Sequence, residues 1–135
     1  MPTPFLDSNV ILRHVLGDNL EQSARATALL QRIERGELRV RTADTGVFEV
    51  VFTLQQFYRE PKMRIRDAIL PLLELPGISL PGKRRFRRAF QYYVDLNLPF
   101  ADAYHAALMQ QNRLDQILTF DRHFDRVPGV RRIEP

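Results

Sequence analysis

The chain contains no cysteine. That absence removes a disulfide framework, a thiol nucleophile and a thiolate zinc site together. It also lacks a long apolar run, and no stretch approaches the roughly 20 residues that cross a bilayer. The start, MPTPFLDSN, has no basic segment followed by a long apolar one, so no secretory signal is expected. These features suit a cytoplasmic protein with no membrane partner. No glycine-rich loop of the phosphate-cradling kind occurs. Lysine is nearly missing: Lys62 and Lys83 stand against 18 arginines.

What is present fits one domain, residues 1–135, with enough chain for a single core. Apolar residues are 44% and charged residues 27%, an ordinary balance for a globular protein. No internal repeat, low-complexity stretch or linker divides it. The net charge is +4 and the isoelectric point about 10.0. Arginine forks pair with phosphate, so the bias suits a nucleic-acid ligand; a GC-rich genome produces the same bias through its codons. The run Lys83, Arg84, Arg85, Phe86, Arg87, Arg88 is sharper. It suits contact with an RNA backbone, and equally a solvated helix face or a surface for an acidic partner.

The chain alternates short strand-like and longer helix-like pieces. Phe5-Leu6 reads as a strand end, followed by a helix from Asp7-Ser8. Gly17-Asp18-Asn19 breaks it, with Asn19 capping a second helix to about Arg35 and Gly36 ending that one. Leu38–Arg41 reads as a strand, and Thr42–Thr45 offers caps for a helix over 46–58. A helix from about Arg64 to Leu73 contains Pro71, which is expected to bend it or end it early. Ile78–Leu80 is a third strand, a basic helix spans about Lys83 to Asp95, and a further helix buries Ala103, Ala107 and Leu108. Ile117–Phe120 and Arg131–Ile133 complete five strands. Alternation with short connections predicts an α/β fold whose parallel strands are covered by helices on both faces.

Four acids stand beside or inside apolar runs: Asp7 in FLDSNVIL, Glu49 in TGVFEVVFTL, Asp102 in PFADAYHAAL and Asp121 in ILTFDRHF. A charge there is costly unless solvated, paired or metal-bound, and gathered carboxylates need a cation. In such sheets the site lies beyond the carboxyl ends of the strands, where Asp7 and Asp121 fall. Glu49 shares a polar sector with Thr53 and Gln56, which either lines a cleft or meets solvent, and periodicity alone favours solvent. Phe48 and Phe52 flank the apolar face, either packed internally or on a homodimer surface. His14, His105 and His123 are scattered and read as surface or core-edge residues. Ser8 reads as a cap rather than a nucleophile.

Taken in order, these four segments resemble the PIN-domain ribonucleases, most of all the VapC-type toxins of toxin–antitoxin pairs. The resemblance implies a three-layer α/β/α sandwich around a short parallel sheet and Mg2+- or Mn2+-dependent endonucleolytic cleavage of RNA. It assigns Asp7, Glu49, Asp102 and Asp121 to metal binding and catalysis, which overrides the solvent assignment of Glu49. Asn9 and Thr119 become supporting polar residues, and Asp125 supplements or replaces Asp121. The partners implied are the RNA substrate, a cognate antitoxin and a second copy of the chain.

Water attack would leave a 5′-phosphate and a 3′-hydroxyl. Hard oxygen ligands suit Mg2+ or Mn2+. Other readings are an RNA-maturation nuclease of the same superfamily and a non-catalytic binding domain with a degenerate acidic site. A receiver-type phosphorylation module is disfavoured, because it wants an acidic pair before the first strand and a lysine near the last.

Overall fold

Asp7 converts a strand end into a helix. Its backbone is extended (φ −80°, ψ 149°) and its side chain accepts the Asn9 backbone N–H at 3.2 Å. This is how an aspartate satisfies one of the free donors that open a helix. In the computed structural model, which describes residues 3–135, that helix is α1 (Ser8–Leu16). Gly17, at φ 65°, closes it in the left-handed conformation that a glycine adopts without strain. Asn19 then caps α2 (Leu20–Glu34) by accepting the Gln22 N–H at 3.1 Å.

The chain divides into two compact units, Met1–Lys83 and Arg84–Pro135. In the first, β1 (Val40–Arg41) pairs in parallel with β2 (Ile78–Ser79), Val40 opposite Ile78. Phe5 joins Arg41 by an isolated parallel bridge, so the expected first strand is reduced to a single pairing. Between β1 and β2 lie α3 (Asp44–Gln56) and α4 (Lys62–Leu73). Their inward faces are aliphatic: Val47, Val50, Val51 and Leu54 from α3 and Ile65, Ile69 and Leu73 from α4 are all buried. Gly77 allows the end of α2 to close on β2. A Cβ there would lie 2.8 Å from Ile33 Cγ2 and 3.1 Å from the Ile33 and Leu38 carbonyl oxygens.

Two helix expectations need correction. The third helix starts at Asp44, and its N-cap, Ala43, makes no side-chain bond. Thr42, expected as a cap, is buried and its hydroxyl donates to the Leu6 carbonyl at 3.0 Å instead. The fourth helix begins at Lys62 and passes through Pro71 to Leu73. Pro71 falls in the last turn, where one missing N–H affects only the exposed residue Asp67, and buried Ile69 and Leu73 anchor the turn on either side.

The second unit contains α5 (Arg85–Asp95), α6 (Phe100–Gln111), β3 (Gln116–Leu118), a 3-10 turn (Arg122–Arg126) and β4 (Arg131–Ile133). Strands β3 and β4 run parallel, with Gln116 opposite Arg131 and Leu118 opposite Ile133. Aromatic rings join α5 to α6: Phe90 lies 4.8 Å and Tyr93 5.3 Å from Phe100, and Phe86 lies 5.1 Å from Tyr104. Such pairs each add about 0.5–1.5 kcal/mol beyond area burial. Burial also pushes the Tyr93 phenol well above its ordinary range.

The basic helix begins at Arg85 rather than at Lys83. Lys83 belongs to the first unit, where its ammonium donates to the Leu75 carbonyl at 2.6 Å and the Ile78 carbonyl at 2.8 Å. The chain is thus mostly helical with short parallel strand pairs, an α/β architecture. Among the described residues, no helix is long and apolar enough to cross a membrane.

Candidate active site

The second unit brings two of the expected acids onto one imidazole. Asp102 is the third residue of α6, whose N-cap is Pro99, so its carboxylate sits in the first helical turn where the helix dipole favours negative charge. Asp121 arrives from the other side of the connection. Thr119 is held at the end of β3 by its N–H to the Ile133 carbonyl, at 3.1 Å, and its hydroxyl accepts the Asp121 N–H at 3.0 Å. Asp121 is extended and caps the 3-10 turn, accepting the His123 N–H at 2.8 Å.

That Asx turn folds His123 back over the carboxylates. Its Nδ1 lies 3.0 Å from Asp121 Oδ2 and 3.2 Å from Asp102 Oδ2. One ligand atom from each of the three residues lies within 4.8 Å of the others. The side chains of Asp102, Asp121 and His123 are 20%, 39% and 39% exposed, so they are sheltered yet reachable by a solute. The His123 backbone N–H, more than any other group, holds the Asp121 carboxyl below the usual carboxylate range. The charge and hydrogen bond of the His123 ring and a hydrogen bond to Asp102 act in the same direction, and partial burial opposes them. Buried Phe124 and Val127 fix the turn to its unit.

His123 was missed by sequence reasoning, which placed all three histidines in packing roles. Its signal was local: an aspartate two residues before a histidine, directly after a strand. The other two differ from it. His14 Nδ1 lies 2.7 Å from the Thr27 hydroxyl, and His105 is exposed. Asp125 has a different partner from Asp121. Its carboxylate accepts Arg132 Nε at 3.0 Å and so ties the turn to β4, while Arg132 Nη1 is buried with no hydrogen-bond partner among the described residues.

Asp7 and Glu49 belong to the first unit. Asp7 is exposed, as is Asn9, whose backbone N–H it accepts. Glu49 is exposed on α3, one turn beyond Gly46, and Gly46 approaches α1 closely: a Cβ on it would lie 3.8 Å from Ser8 Cβ. Phe52, beside the same face, is 59% exposed, whereas Phe48 is half-buried. In the basic run the arginines divide. Arg85 donates to Gln111 Oε1 at 2.8 Å and to the Tyr104 hydroxyl at 2.9 Å, and its guanidinium stacks over the Tyr104 ring. Arg88 lies 5.8 Å from the Tyr92 ring centre, and Arg84 and Arg87 are exposed.

Donor chemistry fits a divalent cation. Two carboxylates supply hard oxygen ligands, and the 4.8 Å span matches the roughly 4–5 Å between opposite ligands of one ion with bonds of 2.0–2.6 Å. The imidazole adds a nitrogen donor that Mn2+ accepts more readily than Mg2+. No curated protein matches the chain. A family model described as the PIN domain matches residues 5–130, and with the acidic cluster in place the chain belongs to the PIN-domain family, whose members are generally metal-dependent nucleases.

Proposed function

We propose that this chain is a Mg2+- or Mn2+-dependent endoribonuclease and the toxin of a toxin–antitoxin pair, acting in the cytoplasm with the family's three-layer α/β/α sandwich as its fold. The single observation that carries the catalytic part is the convergence of Asp102 and Asp121 on His123, in a chain whose residues 5–130 match the PIN domain. The toxin assignment rests on the order and spacing of FLDSNVIL, a helical glutamate, ADAYHAAL and ILTFDRHF. Exposed Phe52 supports a homodimer surface beside α3.

In this mechanism Asp7, Asp102 and Asp121 would hold the cation, and Glu49 would orient the attacking water and accept its proton. His123 keeps two of the carboxylates converged, and the Thr119 hydroxyl fixes the backbone of Asp121. A divalent ion supplies acidification of water and relief of the charge that develops on phosphorus. The new bond joins water oxygen to phosphorus, the bond to the 3′ oxygen breaks, and that oxygen takes a proton. The products are a 5′-phosphate and a 3′-hydroxyl, so the substrate's 2′-hydroxyl takes no part. Arginines of the basic run hold the backbone, because acids that gather a cation repel a phosphate otherwise.

Purified chain should cleave single-stranded RNA with Mn2+ or Mg2+, and excess EDTA should stop it. Asp7→Asn and Asp102→Asn should each lower the rate by roughly 100-fold or more, beyond what loss of an outer support costs. Full activity in excess EDTA would sink the mechanism. Co-expression with the product of the adjacent gene should suppress both growth arrest and RNA cleavage; if neither changes, the nuclease stands and the toxin role does not.

A further inference from the structure

Helices α1 and α2 leave an open groove of about 520 Å³ between them, on the size scale of a small-ligand site. From α1 it takes Asn9, Val10 and Arg13, and from α2 Arg25, Ala26 and Leu29. The floor is apolar, formed by Val10, Ala26 and Leu29, while Arg13 and Arg25 stand at the rim. We propose that this groove is a nucleotide-binding subsite that holds the RNA strand next to the cleaved phosphodiester, an inference that rests on the ribonuclease reading above.

Three observations carry it. The groove starts at Asn9, whose backbone N–H is bound by Asp7, so its mouth lies two residues from a candidate catalytic acid. The second observation is charge. Arg13 pairs with Asp18 at 3.4 Å and Arg25 with Glu21 at 3.5 Å, and every one of these side chains is at least 42% exposed. Exposed pairs of this kind are weak and exchange readily for a phosphate, to which a guanidinium makes two parallel hydrogen bonds. Each arginine is thereby pre-positioned without being consumed by its partner.

The third is rigidity. Ser23 Oγ donates to the Arg13 carbonyl at 2.6 Å, and His14 lies 2.7 Å from the Thr27 hydroxyl, so two polar ties hold the helices together beside the groove. The groove needs no opening before a ligand enters. Its chemistry selects the ligand: an apolar floor for the face of a base, Gln22 and Asn9 as amides for base edges, and two cationic forks for phosphates. About 10 Å of α2 separates Gln22 from Leu29 by helical rise, which suits one nucleotide and its flanking phosphates rather than a duplex.

The test uses the full chain and a fluorescein-labelled random-sequence single-stranded RNA 12-mer, with EDTA present so that binding is read without cleavage. Arg13→Gln/Arg25→Gln should weaken binding about tenfold at low salt and lower the slope of log affinity against log salt by about 1.4, the change expected when two phosphates of a single strand are no longer neutralised. Arg32→Gln/Arg35→Gln removes the same charge from α2 and its C-cap outside the groove, and should change affinity less than about twofold. Circular dichroism should show both variants folded.

Equal weakening in the two variants would reduce the effect to net charge and overturn the subsite. So would unchanged RNA affinity in the groove variant, including the case where that variant instead loses its co-expressed antitoxin. Failure of the wild-type chain to cleave RNA with Mn2+, while it still binds the 12-mer through this groove, would reject the catalytic reading alone.

Discussion

Replacing Lys83 by methionine separates a structural cation from a substrate-binding one. The lysine sits in a run of basic residues and was expected to touch RNA, yet its ammonium meets the Leu75 and Ile78 carbonyls at 2.6 and 2.8 Å. Methionine keeps most of the apolar stem and removes both donors. Hydrogen bonds to a charged group are worth about 1.5–3 kcal/mol each, and a buried carbonyl left unpaired costs about 1–3 kcal/mol. Ile78 is buried and Leu75 half-buried, while release of a partly buried ammonium offsets part of the loss. The net expectation is a destabilisation of about 2–3 kcal/mol, a substantial part of the roughly 5–15 kcal/mol of a domain.

In urea that loss moves the unfolding midpoint down by about 1 M with an unchanged slope. Lys83→Arg should recover only part of it, because a planar guanidinium meets two convergent carbonyls less well than a compact ammonium. RNA affinity should stay within about twofold of wild type, since one partly engaged charge is removed. The pH dependence has a definite sign. Burial lowers the Lys83 pKa, against the influence of Glu74. The unfolded chain therefore holds this proton more tightly than the folded one, and stability rises as the pH climbs through the lowered folded value. The methionine variant should lose that rise. A stability within about 0.5 kcal/mol of wild type, combined with a clear loss of RNA affinity, would refute the structural role and return Lys83 to the RNA.

The remaining arginines of the run give the complementary result. Arg84→Gln/Arg87→Gln/Arg88→Gln should weaken RNA binding and flatten its salt dependence by about 0.7 for each phosphate no longer neutralised, with Mn2+ binding retained; unchanged affinity assigns the run to a solvated face or to the antitoxin. Asp121 should make stability depend on acid. Its carboxyl is held below the usual range, chiefly by the His123 backbone N–H, so this contribution is present above the unfolded carboxyl value and is lost as the pH falls through the folded one. Melting temperatures followed into acid should drop less in Asp121→Asn, whose side chain still accepts that N–H but does not titrate. Equal acid dependence in the two proteins would place the acid-labile group elsewhere.

Much of the fold was legible because its punctuation is local. Asn19 and Gly36 bound the second helix where their side-chain chemistry and backbone freedom place them, with Gly36 at φ 79°. The helical spacing of Val47, Val50, Val51, Leu54 and Tyr58 identified an apolar face; the structure buries the first four and leaves Tyr58, beyond the helix end, exposed. What failed depended on tertiary competition. Thr42 has the composition of a cap, but a carbonyl 36 residues away claims its hydroxyl. Lys83 has the composition of a helix start, but two carbonyls outside the helix claim its ammonium. Pro71 was expected to bend its helix or end it early; the helix does not stop there and runs on to Leu73. The partners of Thr42 and Lys83 lie 36, 8 and 5 residues away, beyond the reach of local propensity.

The site shows the same division. Asp102 and Asp121, singled out from their places at a helix start and after a strand, are the two of the four acids that the structure gathers on His123. His123 was not singled out, because a histidine two residues past an aspartate gains meaning only once the Asx turn closes. That turn depends on Thr119, whose hydroxyl accepts the Asp121 N–H and is itself held by the β3–β4 pairing. A strand of three residues is thus enough to set the geometry of an acidic site. Helix α5 belongs to the same unit. Phe86, Ala89, Phe90 and Tyr93 are buried on one side of that helix, leaving Arg84, Arg87 and Arg88 exposed. The rings that lock α5 onto α6 also fix those arginines to the helix that carries Asp102.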